Sequence, residues 1–333
     1  MIDKTNDKEI MVSVICCAFN HEKYIAKTLD SIVTQKTDFK YEIIIHDDAS
    51  NDKTVYIIEE YAKRYPNLIV PVFQKENQYS KHIDILFQFC LPRARGKYLA
   101  FCECDDFWTD SKKLQKEVDV LEKDSSISYV CHSSYLVDKD GFLIGKKASY
   151  NSSCFIPTES IITIDRNSFT TASILIRKKI FEDYPREFMK SPVGDVMLKI
   201  YGAFNGDVYF LNDICSAYRL SSPGSWTSRN NSYNARKSFT EEMNYFYGLL
   251  NRYSNNKYND LFERIMLENE FDLLKFGNNY KAVKSDKFLS IYKKMSKKSR
   301  MLLYLRIKHN HLFSFYSKLT LFIKKLLYKF KKI

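Results

Sequence analysis

An acidic segment follows an apolar run in the first third of the chain. The run ends at Cys102 and leads directly into Glu103, Asp105 and Asp106. Clustered carboxylates without a Cys or His pattern of zinc type favour a hard divalent cation, Mg²⁺ or Mn²⁺, because such ions prefer oxygen ligands. Ions of this kind commonly bridge to phosphate oxygens, so the segment predicts a metal-linked phosphate site.

A second pair of carboxylates, Asp47 and Asp48, follows the apolar run 41–45. Ligands of open α/β sheets gather beyond the carboxyl ends of the strands, so we expect both acidic segments at one edge. The chain contains neither G-x-G-x-x-G nor G-x-x-x-x-G-K-[ST], the glycine loops that hold nucleotide phosphates. The pattern predicts that a nucleotide diphosphate is held through a metal ion.

Part of this pattern has a structural alternative. Asp, Asn and Ser form turns and cap helices, and Asp52 stands where it would cap the next helix. Adjacent carboxylates repel, and one residue suffices for a turn, so the alternative does not cover Asp47 and Asp48 together. For Asp105 and Asp106 the alternative is a loop before a helix. We favour the functional interpretation, because an apolar strand leads straight into the acids.

The elements that would position these acids alternate along the first hundred residues. Short apolar runs predict strands, and apolar residues at helical spacing predict helices between them. The predicted strands are 12–18, 41–45, 68–73 and 97–102, and the predicted helices are 25–33, 55–65 and 83–95, with Gly96 as a helix cap. Pro71 points to an edge strand or a bulge. The order predicts an α/β fold with a mostly parallel sheet and helices on both faces.

The rest of the chain carries weaker patterns. Strands are predicted near 129–137 and 172–176, a helix near 196–203, and helices from about 235 onwards. We therefore expect a catalytic domain over 1–234, with a donor half to about 120 and an acceptor half to 234. A basic helical region, 235–333, would follow it.

Four segments of the chain resemble family 2 glycosyltransferases of the GT-A fold, especially those that build bacterial capsule, O-antigen and exopolysaccharide. They lie in the family's order and spacing over about the first 120 residues. They are Val12-Ser-Val-Ile-Cys-Cys-Ala-Phe-Asn20, Glu42-Ile-Ile-Ile-His-Asp-Asp-Ala-Ser-Asn-Asp-Lys-Thr54, Gly96-Lys-Tyr-Leu-Ala-Phe-Cys-Glu-Cys-Asp-Asp-Phe-Trp108 and Lys113-Leu-Gln115. The resemblance implies the GT-A nucleotide-diphospho-sugar transferase fold with a helical C-terminal extension.

The resemblance also implies roles for individual residues. Phe19 matches an aromatic residue that packs near the donor base, and Asp48 matches the acid that reads a uracil ring. Asp105 matches the acid near the ribose, and Asp106 matches the metal ligand. Glu103 stands where some members have Asp and would assist the cation. The implied donor is a nucleotide-diphospho-sugar, with UDP as the expected nucleotide.

Gly194-Asp195 resembles the family segment that supplies the general base of inverting members. One base suffices for an inverting displacement, whereas a retaining double displacement needs a second, nucleophilic carboxylate that the sequence does not clearly show. The alternative role of Asp195 is a helix N-cap. A later family segment, Tyr-Arg-x-His, reads Tyr218-Arg219-Leu220-Ser221 here, so Ser221 replaces the histidine.

Aromatic and histidine side chains near these segments have two interpretations. Trp108, Phe107 and Trp226 would suit a platform for a sugar ring, or they pack in the core or at its rim. His46 and His132 stand in strand-like runs, and we expect both to be structural.

Charge is concentrated at the end of the chain. The net charge is +12, yet residues 281–333 contain sixteen Lys or Arg and a single acid, Asp286. From Leu312 to Ile333, large apolar residues alternate with lysine at helical spacing, as in helices that lie in a membrane interface. The expected partner is an anionic membrane surface; the alternative is a helix packed on the catalytic domain.

Compartment signals favour the cytoplasm. The eight cysteines stand mostly in apolar runs, as small buried side chains of a reducing compartment do, and Cys102-x-Cys104 lacks a second pair at zinc spacing. The charged N-terminus has no signal-peptide pattern. We expect a cytoplasmic protein, peripheral at the inner face of the cell membrane.

The combined expectation is a metal-dependent glycosyltransferase, using Mn²⁺ or Mg²⁺, that acts on a growing surface polysaccharide or a lipid-linked saccharide. Two rival functions remain at this point: a catalytically inactive sugar-nucleotide-binding or scaffold protein, and a nucleic-acid-binding protein. The acids Asp48, Asp106 and Asp195 argue against the first. The confinement of the positive charge to the tail argues against the second.

Overall fold

The computed structural model describes residues 9–147, 150–163, 169–220 and 232–327. Ten strands of this part of the chain form one mixed sheet. They are β1 Ile10–Ala18, β2 Lys40–Asp47, β3 Ile69–Phe73, β4 Tyr98–Phe101, β5 Phe107–Trp108, β6 Ile127–Val137, β7 Leu143–Lys147, β8 Cys154–Ile156, β9 Leu175–Arg177 and β10 Asp207–Arg219.

The α-helices connect the strands and follow them. They are α1 Ile25–Val33, α2 Thr54–Arg64, α3 Lys113–Lys123, α4 Thr158–Thr163, α5 Gly194–Phe204, α6 Tyr233–Tyr253, α7 Asn259–Phe276, α8 Tyr280–Val283, α9 Leu289–Lys294, α10 Lys297–Lys308 and α11 Asn310–Leu327. The predicted helical C-terminal region is confirmed over the described residues.

The sheet has the order β3-β2-β1-β4-β9-β6-β10-β5, with β7 beside β6 and β8 beside β10. The strands β3, β2, β1 and β4 are parallel, as the alternating pattern predicts. Strand β9 lies antiparallel between β4 and β6 and joins this parallel part to the second half of the sheet. Strand β3, which contains Pro71, is an edge strand as predicted.

The sheet is buried on both faces. Successive residues of a strand point to opposite faces, and in β1 Val14 and Cys16 join one core whereas Ile15 joins the other. The first core packs against α1, α2 and α3. The second packs against α5 and against side chains of α6 and α7, such as Phe246 and Phe262. A separate small core around Phe271 and Leu303 follows it.

The prediction of a regular α-helix at 83–95 is wrong. This segment is a π-helical turn, Leu86–Cys90, followed by a 3₁₀ turn, Leu91–Arg93. Pro92 explains the break, because its ring excludes a regular α-helix through this point. Gly96 is not a helix cap. A Cβ at Gly96 would lie 2.4 Å from the backbone nitrogen of Ser13, so the glycine permits close approach to β1.

Candidate active site

The two acidic segments lie at one edge of the sheet, as predicted from topology. The ladder of β1 and β2 ends where Ala18 pairs with Asp47, and the next amide, of Asp48, donates to the Ala18 carbonyl at 2.9 Å. On the other side of β1 the Cys104 amide donates to the Cys17 carbonyl at 3.1 Å. These bonds carry the Glu103–Asp106 segment along the end of β1.

The Asp47–Asp48 pair holds two loops in place. Both Asp47 carboxylate oxygens accept hydrogen bonds from Ser50, from its amide and its hydroxyl. The Asp48 carboxylate is buried and accepts from the amides of Gln78 at 2.7 Å and Tyr79 at 3.0 Å. Asp48 therefore orders the loop after β3, and its expected contact with a base remains a prediction. Phe19 lies half-buried one residue beyond β1.

Glu103, Asp105 and Asp106, here called the acid group, come together as predicted. One carboxylate oxygen from each lies within 4.8 Å of the others. Glu103 is exposed, Asp105 is half-buried and Asp106 is buried. The Asp106 Oδ1 atom accepts the Arg219 amide at 2.8 Å, but its buried Oδ2 atom has no hydrogen-bond partner. A buried acceptor without a donor fits a cation.

Burial and like charges together raise the pKa values of two members of the acid group, Asp106 and Glu103. Burial, with the charges of Asp105 and Glu103, raises the pKa of Asp106 well above its ordinary value. Desolvation by the surrounding protein, with the charges of Asp105 and Asp195, raises the pKa of Glu103 to about 7. A divalent cation would relieve this repulsion, so these residues fit a metal site of the predicted kind.

Arg219 binds the acid segment to the end of β10. Besides its amide bond to Asp106, its Nε donates to the Asp105 carbonyl at 2.8 Å. The guanidinium also donates to the Asp138 carbonyl at 3.1 Å and lies 4.4 Å from the centre of the Tyr24 ring. Arg219 is buried, and its contacts fix the position of both acids.

Asp195 lies in the first turn of α5, not at its N-cap. The N-cap residue is Val193, and it makes no side-chain capping bond. The Asp195 carboxylate instead accepts from Lys199 Nζ at 2.8 Å. Its charge raises the pKa of Glu103, so the residue lies within electrostatic reach of the acid group. The capping alternative for Asp195 is wrong, and its role as a base remains a prediction.

The sequence interpretation missed three residues around this edge. His21 follows β1, and although burial lowers its pKa, contact with the Cys104 thiol and the charge of Asp105 raise it overall. Lys199 pairs with Asp195, which the i, i+4 spacing could have indicated. Arg219 was named only as part of a motif, because nothing in the sequence shows which loop it contacts.

The aromatic and histidine side chains behind the edge are structural. Trp108 and Phe107 are buried in the core, so neither is a sugar platform. His46 and His132 are fully buried, as expected. Trp226 and Ser221 lie outside the described residues.

A second group of charges is fully buried beneath Trp108. Lys113 Nζ lies 2.7 Å from Glu117 Oε2, and Glu117 Oε1 lies 3.6 Å from His132 Nε2. Lys113 also lies 4.3 Å from the centre of the Trp108 ring. Burial raises the pKa of Glu117 to about 7 and lowers the pKa of His132 to about 3. We call Lys113, Glu117 and His132 the buried cluster.

The described part of the chain contains neither a helix that could span a membrane nor a zinc cluster. None of its helices combines the length and the apolarity that crossing a bilayer requires. Among the described His, Cys, Asp and Glu side chains, the acid group is the cluster with metal-ligand spacing, so Cys102-x-Cys104 forms no zinc site there.

Comparison with known proteins yields one family. The model of glycosyl transferase family 2 matches residues 13–185, about half of the chain. An uncharacterized protein of Mycobacterium tuberculosis is 33% identical over 231 residues, which are 69% of this chain and 64% of that protein. The chain therefore spans less than two thirds of the length of this relative.

Two further comparisons concern proteins with a named activity. The UDP-Glc:alpha-D-GlcNAc-diphosphoundecaprenol beta-1,3-glucosyltransferase WfgD of Escherichia coli is 26% identical over 64% of this chain and 78% of its own length. The mannosyltransferase PcManGT of Pyrobaculum calidifontis, solved with GDP-Man and Mn²⁺, superposes with a TM-score of 0.54. That match covers 98% of this chain and 89% of the other at 16% identity, which establishes the GT-A fold.

Proposed function

The chain belongs to glycosyl transferase family 2, and on that premise we propose that it moves a sugar from a nucleotide-diphosphate donor to an acceptor hydroxyl. The observation that carries the proposal is the acid group at the carboxyl edge of the sheet, with the buried Asp106 Oδ2 atom lacking a donor. This arrangement suits a metal-linked diphosphate in a chain without a glycine phosphate loop.

The donor we propose is a UDP-sugar. Asp48 and Phe19 lie at the end of β1, and we assign the contact with the base to these two residues and the contact with the ribose to Asp105. Asp106 and Glu103 would supply oxygen ligands for Mn²⁺ or Mg²⁺. When bound, such an ion supplies positive charge that stabilises the departing diphosphate. WfgD, a relative, is named for a UDP-Glc donor.

Asp195 is the proposed general base. As the bond from the anomeric carbon to the diphosphate oxygen breaks, the acceptor oxygen forms its bond to that carbon from the opposite face. The acceptor proton passes to the Asp195 carboxylate, whose Oδ2 atom is held by Lys199. A single base on the face opposite the leaving group gives inversion.

The acceptor class we propose is a growing surface polysaccharide or a lipid-linked saccharide. The name of WfgD includes GlcNAc-diphosphoundecaprenol, a sugar linked to a long polyprenyl chain. On this support we propose that the reaction takes place at the inner face of the cell membrane.

A ligand screen tests the donor proposal. Thermal unfolding of the purified protein is measured with a panel of UDP-, GDP- and CMP-sugars, each with Mn²⁺ and with EDTA. The proposal expects a UDP-sugar to raise the unfolding temperature with Mn²⁺ and much less with EDTA. Stabilisation by no nucleotide sugar, or equal stabilisation in EDTA, would contradict it.

A further inference from the structure

The tail helix α11 carries an apolar face that no described residue covers. Large side chains at three- and four-residue spacing share one side of the helix. They are between 38% and 67% exposed: Leu312, Phe315, Tyr316, Leu319, Phe322 and Ile323. Single exposed apolar residues are common, but a continuous row marks an interaction surface. We call this row the apolar stripe.

The sequence that contains the apolar stripe is strongly basic. Residues 281–333 contain sixteen Lys or Arg and one acid, Asp286. Just before α11, a concavity of about 720 Å³ is lined by three lysines, Lys281, Lys284 and Lys308, with Asn278, Asn279 and Ile307. An apolar row next to dense positive charge is complementary to an anionic bilayer, which offers acyl chains and negative headgroups together.

The location of α11 relates this surface to the active site. The helix lies beside β7, and β7 pairs with the carboxyl end of β6, where Val137 pairs with Leu143. Val137 also pairs with Arg219 of β10, the residue that binds Asp106. The helix thus lies at the end of the sheet that carries the acid group.

We propose that α11 lies in the interface of an anionic membrane, with the apolar stripe among the acyl chains and the lysines at the headgroups. Docking in this way holds the acid-group edge of the sheet next to the bilayer. The orientation deepens the proposed function, on which it rests, because it makes the membrane the source of the acceptor. The docking surface itself does not depend on that function.

Vesicle flotation tests the surface with the full-length protein. The probes are phosphatidylcholine vesicles with and without phosphatidylglycerol, at low and high salt. The stripe variant is Phe315→Ser/Phe322→Ser. The control is Tyr56→Ser/Tyr245→Ser, which removes aromatic rings that are 62% and 60% exposed on α2 and α6. Both doubles remove two exposed rings from helix surfaces.

The wild type and the control should bind the anionic vesicles at low salt and lose part of the binding at high salt, since salt screens lysine–lipid attraction. The stripe variant should partition at least ~tenfold more weakly for each Phe removed, the factor that burial of one such side chain contributes. Equal binding by the stripe variant would overturn the proposal. So would salt-independent binding to neutral vesicles.

Two further readouts separate the alternatives. If light scattering shows a dimer that the stripe variant dissociates, and the wild type ignores vesicles, the stripe joins two copies of the chain and the proposal is overturned. Nucleotide-sugar stabilisation of the stripe variant should equal that of the wild type. Vesicle binding without any nucleotide-sugar binding would uphold the membrane surface and contradict the proposed function alone.

Discussion

The acid group and the buried cluster come from neighbouring parts of the chain but differ in the signs of their charges. The acid group brings like charges together, whereas the buried cluster pairs opposite charges. In the buried cluster, Lys113 and Glu117 pair at 2.7 Å with no exposure to solvent. In the acid group, one oxygen from each of three carboxylates lies within 4.8 Å of the other two. The buried Oδ2 atom of Asp106 accepts no hydrogen bond. The buried cluster also contains two side-chain atoms without a hydrogen-bond partner, Glu117 Oε1 and His132 Nε2, but its opposite charges are paired within the protein. Like charges left unsatisfied create a site for a ligand.

The comparison predicts that the two regions respond differently to mutation. Changes at the acid group and its neighbours should alter metal binding and transfer while the fold persists. Changes in the buried cluster should alter stability while ligand binding by the folded protein persists.

The largest expected effect concerns Asp195, whose charge acts on Glu103 of the acid group. Asp195→Asn should lower the transfer rate by roughly 10²–10⁴-fold, because that is the usual contribution of a general base. UDP-sugar binding should be unchanged. Stability should fall modestly, because the side-chain oxygen of Asn can still accept from the buried Lys199, which also keeps its bond to the Phe169 carbonyl. Single-turnover transfer assays and thermal unfolding measure the two quantities.

The matched control for this prediction is Asp213→Asn. Asp213 makes an ion pair of the same 2.8 Å length, with Lys116, and stands outside the acid group. The control should keep its transfer rate. If Asp195→Asn also keeps most of its transfer activity, the base must be another residue.

The next largest effect concerns stability. Lys113→Met removes the cation of the buried cluster and should cost ~3–5 kcal/mol of unfolding free energy, because Glu117 is left buried without its partner. Chemical denaturation measures this loss. The double variant Lys113→Met/Glu117→Leu should recover most of it, since a buried ion pair replaced by apolar residues is often neutral.

The loss in Lys113→Met should also depend on pH. The folded-state pKa of Glu117, about 7, lies above its ordinary 4.5. Its contribution to stability is therefore full below about pH 4.5 and is lost as the pH rises through about 7. Without Lys113 the pKa should rise further, so the deficit should grow with pH. A deficit that shrinks at high pH would show that the pair is not the cause.

A smaller effect tests Arg219 as a positioning residue. Arg219→Lys keeps the charge and the backbone bond to Asp106 but loses the side-chain bond to the Asp105 carbonyl, next to the proposed metal ligand. Metal-dependent UDP binding should weaken by ~10–100-fold, the usual effect of losing a contact that orients a metal ligand. Calorimetry with Mn²⁺ measures the change.

Arg177→Lys is the control for Arg219→Lys. Arg177 is also buried and donates to the Ile127 and Leu121 carbonyls and to the Tyr98 hydroxyl, all away from the acid group. Its variant should lose stability but keep the Mn²⁺ dependence of UDP binding. Equal losses of UDP binding in both variants would mean that Arg219 acts only through the fold.

The sequence predicted the parallel half of the fold because local pattern determines it. The apolar runs at 12–18 and 41–45 predict strands without any long-range information, and both are strands in the structure. The topology of a parallel sheet then places the acids at one edge. The segment 83–95 was mistaken because its apolar spacing is helical up to Pro92. The break into a π-helical turn and a 3₁₀ turn depends on the single proline ring of Pro92, which a regular α-helix cannot accommodate at this position.

The contacts that complete the site could not be predicted, because they join distant segments. Arg219 lies 113 residues after Asp106, and Asp48 binds amides 30 and 31 residues away. The flat ring of Trp108 would suit a sugar platform, and its burial in the structure excludes that role. Residue type indicates possible chemistry, whereas long-range packing decides which residues are available for it.

The most direct test of the central claim is calorimetry of UDP binding to the wild type and to Asp106→Asn, each with Mn²⁺ and with EDTA. Asp106→Asn removes one of three repelling carboxylates, so the variant should fold at least as well as the wild type. The account predicts clearly tighter UDP binding with Mn²⁺ in the wild type and no Mn²⁺ effect in the variant. Equal UDP affinity of the wild type in Mn²⁺ and EDTA would contradict it.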